Sequence, residues 1–283
     1  MAAPLPAEAD MVVLTEAWQS AHDDFLDLVD GLSDEQWHSP TALPGWTVAD
    51  VVAHVTWLEA LLLGEIDPPH EPDWSTLAHV TSEFGRKTET PVDLRRSWTR
   101  EAVMVECRDV LQRRATELAQ SPPDASRPNT AMFGPKTVGA LVLQRTFDTW
   151  VHEQDIRQAV DESGGWDTPG AQASARQLLP GLPMLWGKRA GAQVGQVLHL
   201  TVTEPGVSFT AVVKIEDDGR ARFVSDDLVD QAGPATVSIT MPWQVFVTAA
   251  CGRAPRSVWQ EDVHIVGDHV LADRLLDNFT VTP

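Results

Sequence analysis

Apolar side chains recur at helical spacing through the first half of the chain and at alternating positions through much of the second. AEADMVVLTEAWQSAHDDFLDLVDGL sets Val13, Trp18, Phe25, Leu28 and Val29 roughly on one face and stops at Gly31, which predicts a long first helix. A second begins after LPGW. Thr47 can cap it, Asp50 three residues on completes a capping-box pair, and VADVVAHVTWLEALLLGEI forms its body. The pattern predicts a third helix from Val92 to about Gln120, ended by the prolines of SPPDASRPN, and a fourth from near Thr137 to DESGGWDTPG. Four helices joined by polar, proline-containing loops predict an up-down bundle.

The turn-rich DESGGWDTPG, residues 161–170, predicts a domain boundary, with a helical bundle over 1–165 and a second domain over 166–283. Beyond it one helix is expected in AQASARQLLPGLPMLW. Strands are expected in QVLHLTVT, VSFTAVVKI, RARFVS and ATVSITM, and further helices in PWQVFVTAACG and HVLADRLLDNF. That order predicts a small antiparallel sheet with helices on one face, so the fold class is α plus α+β.

Composition supports this picture: 283 residues, 43% hydrophobic and 22% charged, suit a core-forming chain of two domains. A formal net charge of −20 repels phosphate backbones and anionic lipid, so no nucleic-acid or membrane partner is expected. The local basic clusters, RRSWTR at 95–100 and QRRA at 112–115, are expected on solvated helix faces. MAAPLPAEAD lacks a basic region leading into an apolar run, and a cytoplasmic protein is expected. Cys107 and Cys251 are far apart without CxxC spacing, which fits a reducing compartment and buried structural thiols.

RTFDTWVHEQDIRQAV, residues 145–160, holds Asp148 and His152 four residues apart, on one helical face. Alone, that pair is an ordinary helix-surface ion pair, and His54, bracketed by Val51, Val52, Val55 and Leu58, is an ordinary core histidine. Together, two histidines and a carboxylate on two apolar helices can project into one bundle interior. Three protein ligands with an open position are the arrangement of a catalytic zinc or related divalent site. Asp155, one turn beyond His152, can accept a hydrogen bond from it or face water, and Trp57 and Trp150 are expected as core or pocket wall. His70, His79, His199, His264 and His269 have no spacing that suggests a mechanism. No nucleophile elbow and no phosphate-binding glycine loop occurs.

LPGWTVADVVAHVTWLEALL followed downstream by TFDTWVHEQDIRQAV resembles the DinB-like metalloenzyme superfamily and, more closely, the mycothiol-dependent maleylpyruvate isomerase family. The resemblance spans nearly the whole chain and implies a DinB-like bundle followed by a sterol-carrier-like α+β domain. It implies His54, Asp148 and His152 as metal ligands, although the family often has glutamate or histidine where this chain has Asp148. ACGRAPRSVWQEDVHIVGDHVLADRLLDNF resembles the family's second domain. Arg253, and after it Arg256 and Arg274, are candidates to reach a substrate carboxylate, with surface ion pairing the competing account. Gly252 and Gly267 read as turn residues.

The activity implied is that of an enzyme with a divalent metal ion, zinc first and nickel or iron as alternatives. It would activate a low-molecular-weight thiol, mycothiol as cosubstrate, for attack on a small electrophile, as an S-transferase or a cis-trans isomerase. A monomer or homodimer is expected. Two other readings stay open at this stage: a noncatalytic small-molecule binding protein, and a metal-dependent hydrolase.

Overall fold

The computed structural model describes residues 3–6, 9–129 and 136–282. The chain divides into two units, Glu8–Gly165 and Trp166–Pro283 with Met1–Ala7. Among the described residues no helix is long and apolar enough to cross a membrane.

The first unit holds helices α1 (Met11–Gly31), α2 (Asp34–Trp37), α3 (Val48–Leu62), α4 (Glu83–Arg95), α5 (Arg100–Gln120) and α6 (Val138–Ala159), with a two-stranded ribbon of β1 (Pro128–Asn129) and β2 (Lys136–Thr137) before α6. The long helices α1, α3, α5 and α6 form the bundle: α1 packs on α6 and α5, and α3 on α5 and α6. Trp18, Phe25, Val51, Val55, Val110, Trp150 and Ile156 are among its buried residues. The helix starts follow local chemistry. Thr47 accepts from the Asp50 backbone N–H while the Asp50 carboxylate accepts from that of Thr47, and Thr137 caps α6 through the Ala140 N–H.

The expected single helix from Val92 to Gln120 is two helices. Thr99 leaves helical geometry (φ −72°, ψ 153°), and its hydroxyl accepts from the Ala102 N–H, so a new helix starts at Arg100. The preceding α4 begins much earlier than expected, at the Ser82 cap. The basic clusters are not simply solvated. Arg95 is buried in bidentate pairs with Asp67 and Glu106, and Arg114 is buried against Glu59.

The second unit opens with α7 (Pro169–Leu178). Pro180 and Pro183 break the expected longer helix into a 3-10 turn, the short α8 (Leu182–Met184) and a π-helical turn over Leu185–Arg189. Strands β3 (Val197–Thr203), β4 (Phe209–Ile215), β5 (Ala221–Phe223), β6 (Val237–Pro242) and β7 (His264–Gly267) form one sheet in the order β5-β4-β3-β6-β7. Helices α9 (Trp243–Ala250) and α10 (Arg256–Trp259) lie between β6 and β7, and α11 (His269–Leu276) follows.

Register puts Leu198, Leu200 and Val202 beside Val237, Ile239 and Met241, and all six are buried, as alternation along a half-buried strand requires. The sheet is mixed rather than wholly antiparallel, because β3 and β6 pair in parallel. The chain between them, with β4, β5 and the turn over Asp226–Gln231, is long enough for the crossover that a parallel pair needs. Strand β7 went unread in the sequence: HIVG is only four residues, exposed along most of its length, and sits in a segment rich in charge.

Candidate metal centre

Two helices and one turn build the site. The LPGW turn comes first: Gly45 has φ +80°, and a Cβ there would lie 2.3 Å from the His79 ring, so only glycine fits. The turn delivers Trp46, whose indole N–H donates to Glu89 at 2.8 Å and whose ring centroid lies 4.9 Å from that of His54. Helix α3 then carries His54 inward, and α6 presents Asp148 and His152 one turn apart.

One ligand atom from each of His54, Asp148 and His152 lies within 4.8 Å of the others. His54 Nε2 is 3.6 Å and His152 Nε2 is 3.9 Å from Asp148 Oδ2, distances too long for hydrogen bonds. Three donors bound to one tetrahedral ion at zinc-ligand lengths stand about 3.4 Å apart, so small side-chain movements suffice to close the set. The His54 Nδ1 is buried without a partner among the described residues, so its ring gains no hydrogen bond from the protein at either nitrogen. Two imidazoles and a carboxylate, one of the imidazoles otherwise unsatisfied, fit a divalent cation.

The surroundings fix the donors. His152 Nδ1 donates to Asp155 Oδ2 at 2.9 Å, which leaves the Nε2 lone pair for the site; of the two roles open to Asp155, the structure shows this one. Burial pushes the His54 imidazole pKa down, against the opposing pull of Asp148, so the ring stays neutral and able to ligate. Burial alone would raise the Asp148 carboxyl. Arg145, Nη1 3.0 Å from Asp148 Oδ2, and then the neighbouring imidazoles outweigh it and hold the group well below the usual carboxylate range.

Behind the three donors runs a buried chain of alternating charge. Arg114 Nε donates to Glu59 Oε2 at 3.1 Å, Arg145 Nε donates to Glu59 Oε1 at 2.8 Å, and Arg145 reaches on to Asp148. His22 flanks it, with Nδ1 donating to the Trp18 carbonyl at 2.7 Å and Thr149 Oγ1 2.9 Å from Nε2. The sequence reading missed Glu59, Arg145 and His22. A signal was available: Glu59 is a lone acid inside the apolar WLEALLL, and Arg145 precedes Asp148 by three residues. Trp150 is core, fully buried, and Trp57 is half-buried with its ring centroid 6.3 Å from that of His54.

Residues 18–157 match the model of a family described as the mycothiol maleylpyruvate isomerase N-terminal domain. The helical unit places the chain in that family. Two uncharacterized proteins from two strains of Mycobacterium tuberculosis are 27% identical to it over 169 residues, 56% of this chain. The match covers only 58% of those relatives' length. Among solved structures, mycothiol-dependent maleylpyruvate isomerase and a histidine-to-alanine mutant of it each superpose with a TM-score of 0.55 at 14% identity, covering 92% of this chain and 93% of theirs. At that identity the likeness is one of fold. Within the maleylpyruvate isomerase N-terminal domain of this chain, His54, Asp148 and His152 could hold a metal ion.

The arginine candidates belong to the second unit. Arg256 pairs with Asp273 at 2.6 Å and Asp277 at 2.8 Å, the surface ion pairing that competes with a substrate role. Arg253 is half-buried just after α9 and donates to the Cys251 carbonyl at 3.0 Å, and Arg274 lies on α11. Gly252 and Gly267 both have positive φ, 64° and 105°, in keeping with turns. Both cysteines are buried, and burial pushes the Cys107 thiol up to about 11. Iodoacetamide at pH 7.5 is therefore expected to leave Cys107 unmodified in the folded protein and to alkylate it fully in urea, as read by peptide mass spectrometry; equal labelling in both conditions would contradict this burial.

Proposed function

We propose that His54, Asp148 and His152 hold one divalent ion, zinc in the first instance, and that the chain is a cytoplasmic enzyme using a low-molecular-weight thiol, mycothiol, against a small electrophile. The observation that carries this reading is the convergence of the three donors within 4.8 Å, with His152 oriented by Asp155. The names of the solved relatives, mycothiol-dependent maleylpyruvate isomerases, support the choice of thiol and of reaction class. A divalent ion bound there supplies the charge that turns a coordinated thiol into a thiolate at neutral pH.

The chain's own residues divide the remaining work. Asp155 fixes the His152 tautomer, Arg145 keeps Asp148 anionic, and Trp46 and Trp57 shield His54 from water. Arg253 is assigned the substrate carboxylate. In isomerisation, sulfur adds to a conjugated double bond, the resulting single bond rotates, and elimination returns the thiol. With a leaving group in place of the conjugated bond, the product is a thioether and the transferase outcome follows.

The Arg145 contact to Asp148 favours one other reading, in which the carboxylate is satisfied by the protein and the bundle only binds a small molecule. Elemental analysis of untagged protein after dialysis separates the two. About one zinc, nickel or iron ion per chain is expected, lost in His54→Ala and in His152→Ala. Folded wild type that carries no metal, and takes up none when divalent ions are added, would sink the metalloenzyme reading.

A further inference from the structure

The Trp46 ring stands against both imidazoles of the metal centre: its centroid is 4.9 Å from that of His54 and 6.3 Å from that of His152. Its backbone is fixed by the LPGW turn, where the Trp46 N–H donates to the Leu43 carbonyl at 3.1 Å and the Trp46 carbonyl accepts from the Thr41 N–H and hydroxyl, both at 2.9 Å. Those bonds leave the side-chain torsions open. The polar tether on the ring is the indole N–H, a donor only, and it donates to Glu89 on α4, 43 residues away in sequence.

Glu89 is 1% exposed, and a carboxylate that deep is costly unless it is paired. Besides the indole, its Oε2 lies 3.1 Å from His79 Nε2, and its Oε1 lies 2.7 Å from Arg96 Nη1. His79 packs on the same turn, since its ring is what excludes a Cβ at Gly45. Arg96 also donates through Nε to Asp50 Oδ1 at 2.8 Å, and Asp50 is the capping-box residue of α3, four residues before His54. One buried carboxylate thus joins the turn that carries Trp46 to the start of the helix that carries His54. Arg96 has Asp50 and Asp93 as further counterions, so Glu89 is not needed to neutralise it. The indole, in contrast, has Glu89 as its acceptor.

We infer that Glu89 is a positioning residue: it acts through Trp46, setting the indole as a fixed apolar wall for the electrophile that reacts beside His54 and His152. The part this wall plays in turnover rests on the thiol-dependent reading; the placement of the ring does not. A wall that meets the ground state and the transition state alike contributes to KM and leaves kcat unchanged.

The test uses the full-length protein with nitrogen-15 in its tryptophan indoles, as purified and after chelation, the Trp46 peak being identified by its loss in Trp46→Phe. That N–H should exchange with solvent deuterium about 10-fold faster in Glu89→Met, which keeps the side chain's volume, and regain most of its protection in Glu89→Gln, which keeps an accepting oxygen. In turnover with mycothiol, Glu89→Met and Trp46→Phe should each raise the KM for the electrophile about 5- to 10-fold, with kcat within about 2-fold and Glu89→Gln near the wild type. The double variant should be no worse than either single one, because both break the same contact. Equal exchange in Glu89→Met and the wild type, or KM losses that multiply in the double variant, overturns the inference. So does a fall in kcat together with loss of bound metal, which would make Glu89 a support of α3 instead. Should Glu89→Met fail to fold by circular dichroism, an unchanged KM in Trp46→Phe has the same force. If no thiol-dependent turnover exists, the wall falls with that reading, and the exchange result still decides whether Glu89 places the ring.

Discussion

Glu59→Ala is expected to lose about 3–5 kcal/mol of folding stability, because it takes the shared carboxylate from two buried guanidinium groups at once, leaving Arg145 only Asp148 and Arg114 only Glu117. Glu59 is wholly inaccessible, and Arg114, Arg145 and His22 all converge on its carboxylate. For a domain of this size the melting temperature should fall by on the order of 10 °C, followed by helical circular dichroism. The same residue sets an acid limb. Burial raises the Glu59 carboxyl, but Arg145, His22 and Arg114 outweigh it and hold the group far below the ordinary glutamate range. A group whose folded pKa is depressed contributes stability above its unfolded pKa, about 4.3, and loses it as pH falls below that value. Glu59→Gln should therefore be less stable than the wild type at pH 7 and show a flatter loss of stability below pH 4. A Glu59→Ala melt within a degree or two of the wild type would show that the charge chain contributes little.

On the proposed metalloenzyme reading, removing the ion or one of His54, Asp148 and His152 should affect turnover more than any other single change. With mycothiol and either maleylpyruvate or a chlorinated bimane as electrophile, His152→Ala and phenanthroline-treated wild type are each expected to fall about 10³-fold, the scale of several kcal/mol of transition-state stabilisation. Omitting the thiol should abolish conversion of both substrates. The two electrophiles also separate the two outcomes, since one reports rotation about a double bond and the other reports thioether formation. Activity that persists without any thiol would instead favour a hydrolase. Activity that survives chelation with undiminished rate would remove the metal from the reaction.

Much of the fold was legible because it is written locally. The Thr47 and Asp50 pair is a complete capping box within four residues, and the strand runs after residue 190 alternate cleanly. The break between α4 and α5 was harder to read, because RRSWTR contains no proline or glycine and its helix-stopping signal is a single threonine hydroxyl. The site divides along the same line. Helix faces left the meeting of His54, Asp148 and His152, which the structure shows, open as one arrangement among others; their assignment as ligands came with the family resemblance, and the Asp155 contact was one of two options. The Glu59 contacts to Arg114 and Arg145 join positions 55 and 86 residues apart in sequence. Nothing in the local pattern encodes such partners, and Arg114 read as a solvated cation because its neighbours in sequence are charged.

Helix α6 carries Arg145, Asp148, His152 and Asp155 at steps of three and four residues, so the whole arrangement depends on one uninterrupted helical phase. A single residue inserted between Asp148 and His152 would turn everything beyond it by about 100° and disperse the constellation at a stroke. Natural length variation among descendants of this chain should accordingly gather in the connection between α5 and α6, while α6 itself changes by replacement, never by insertion. The helix therefore acts as a fixed ruler over which lineages can exchange chemical groups, and new specificities would arise by swapping the marks on it.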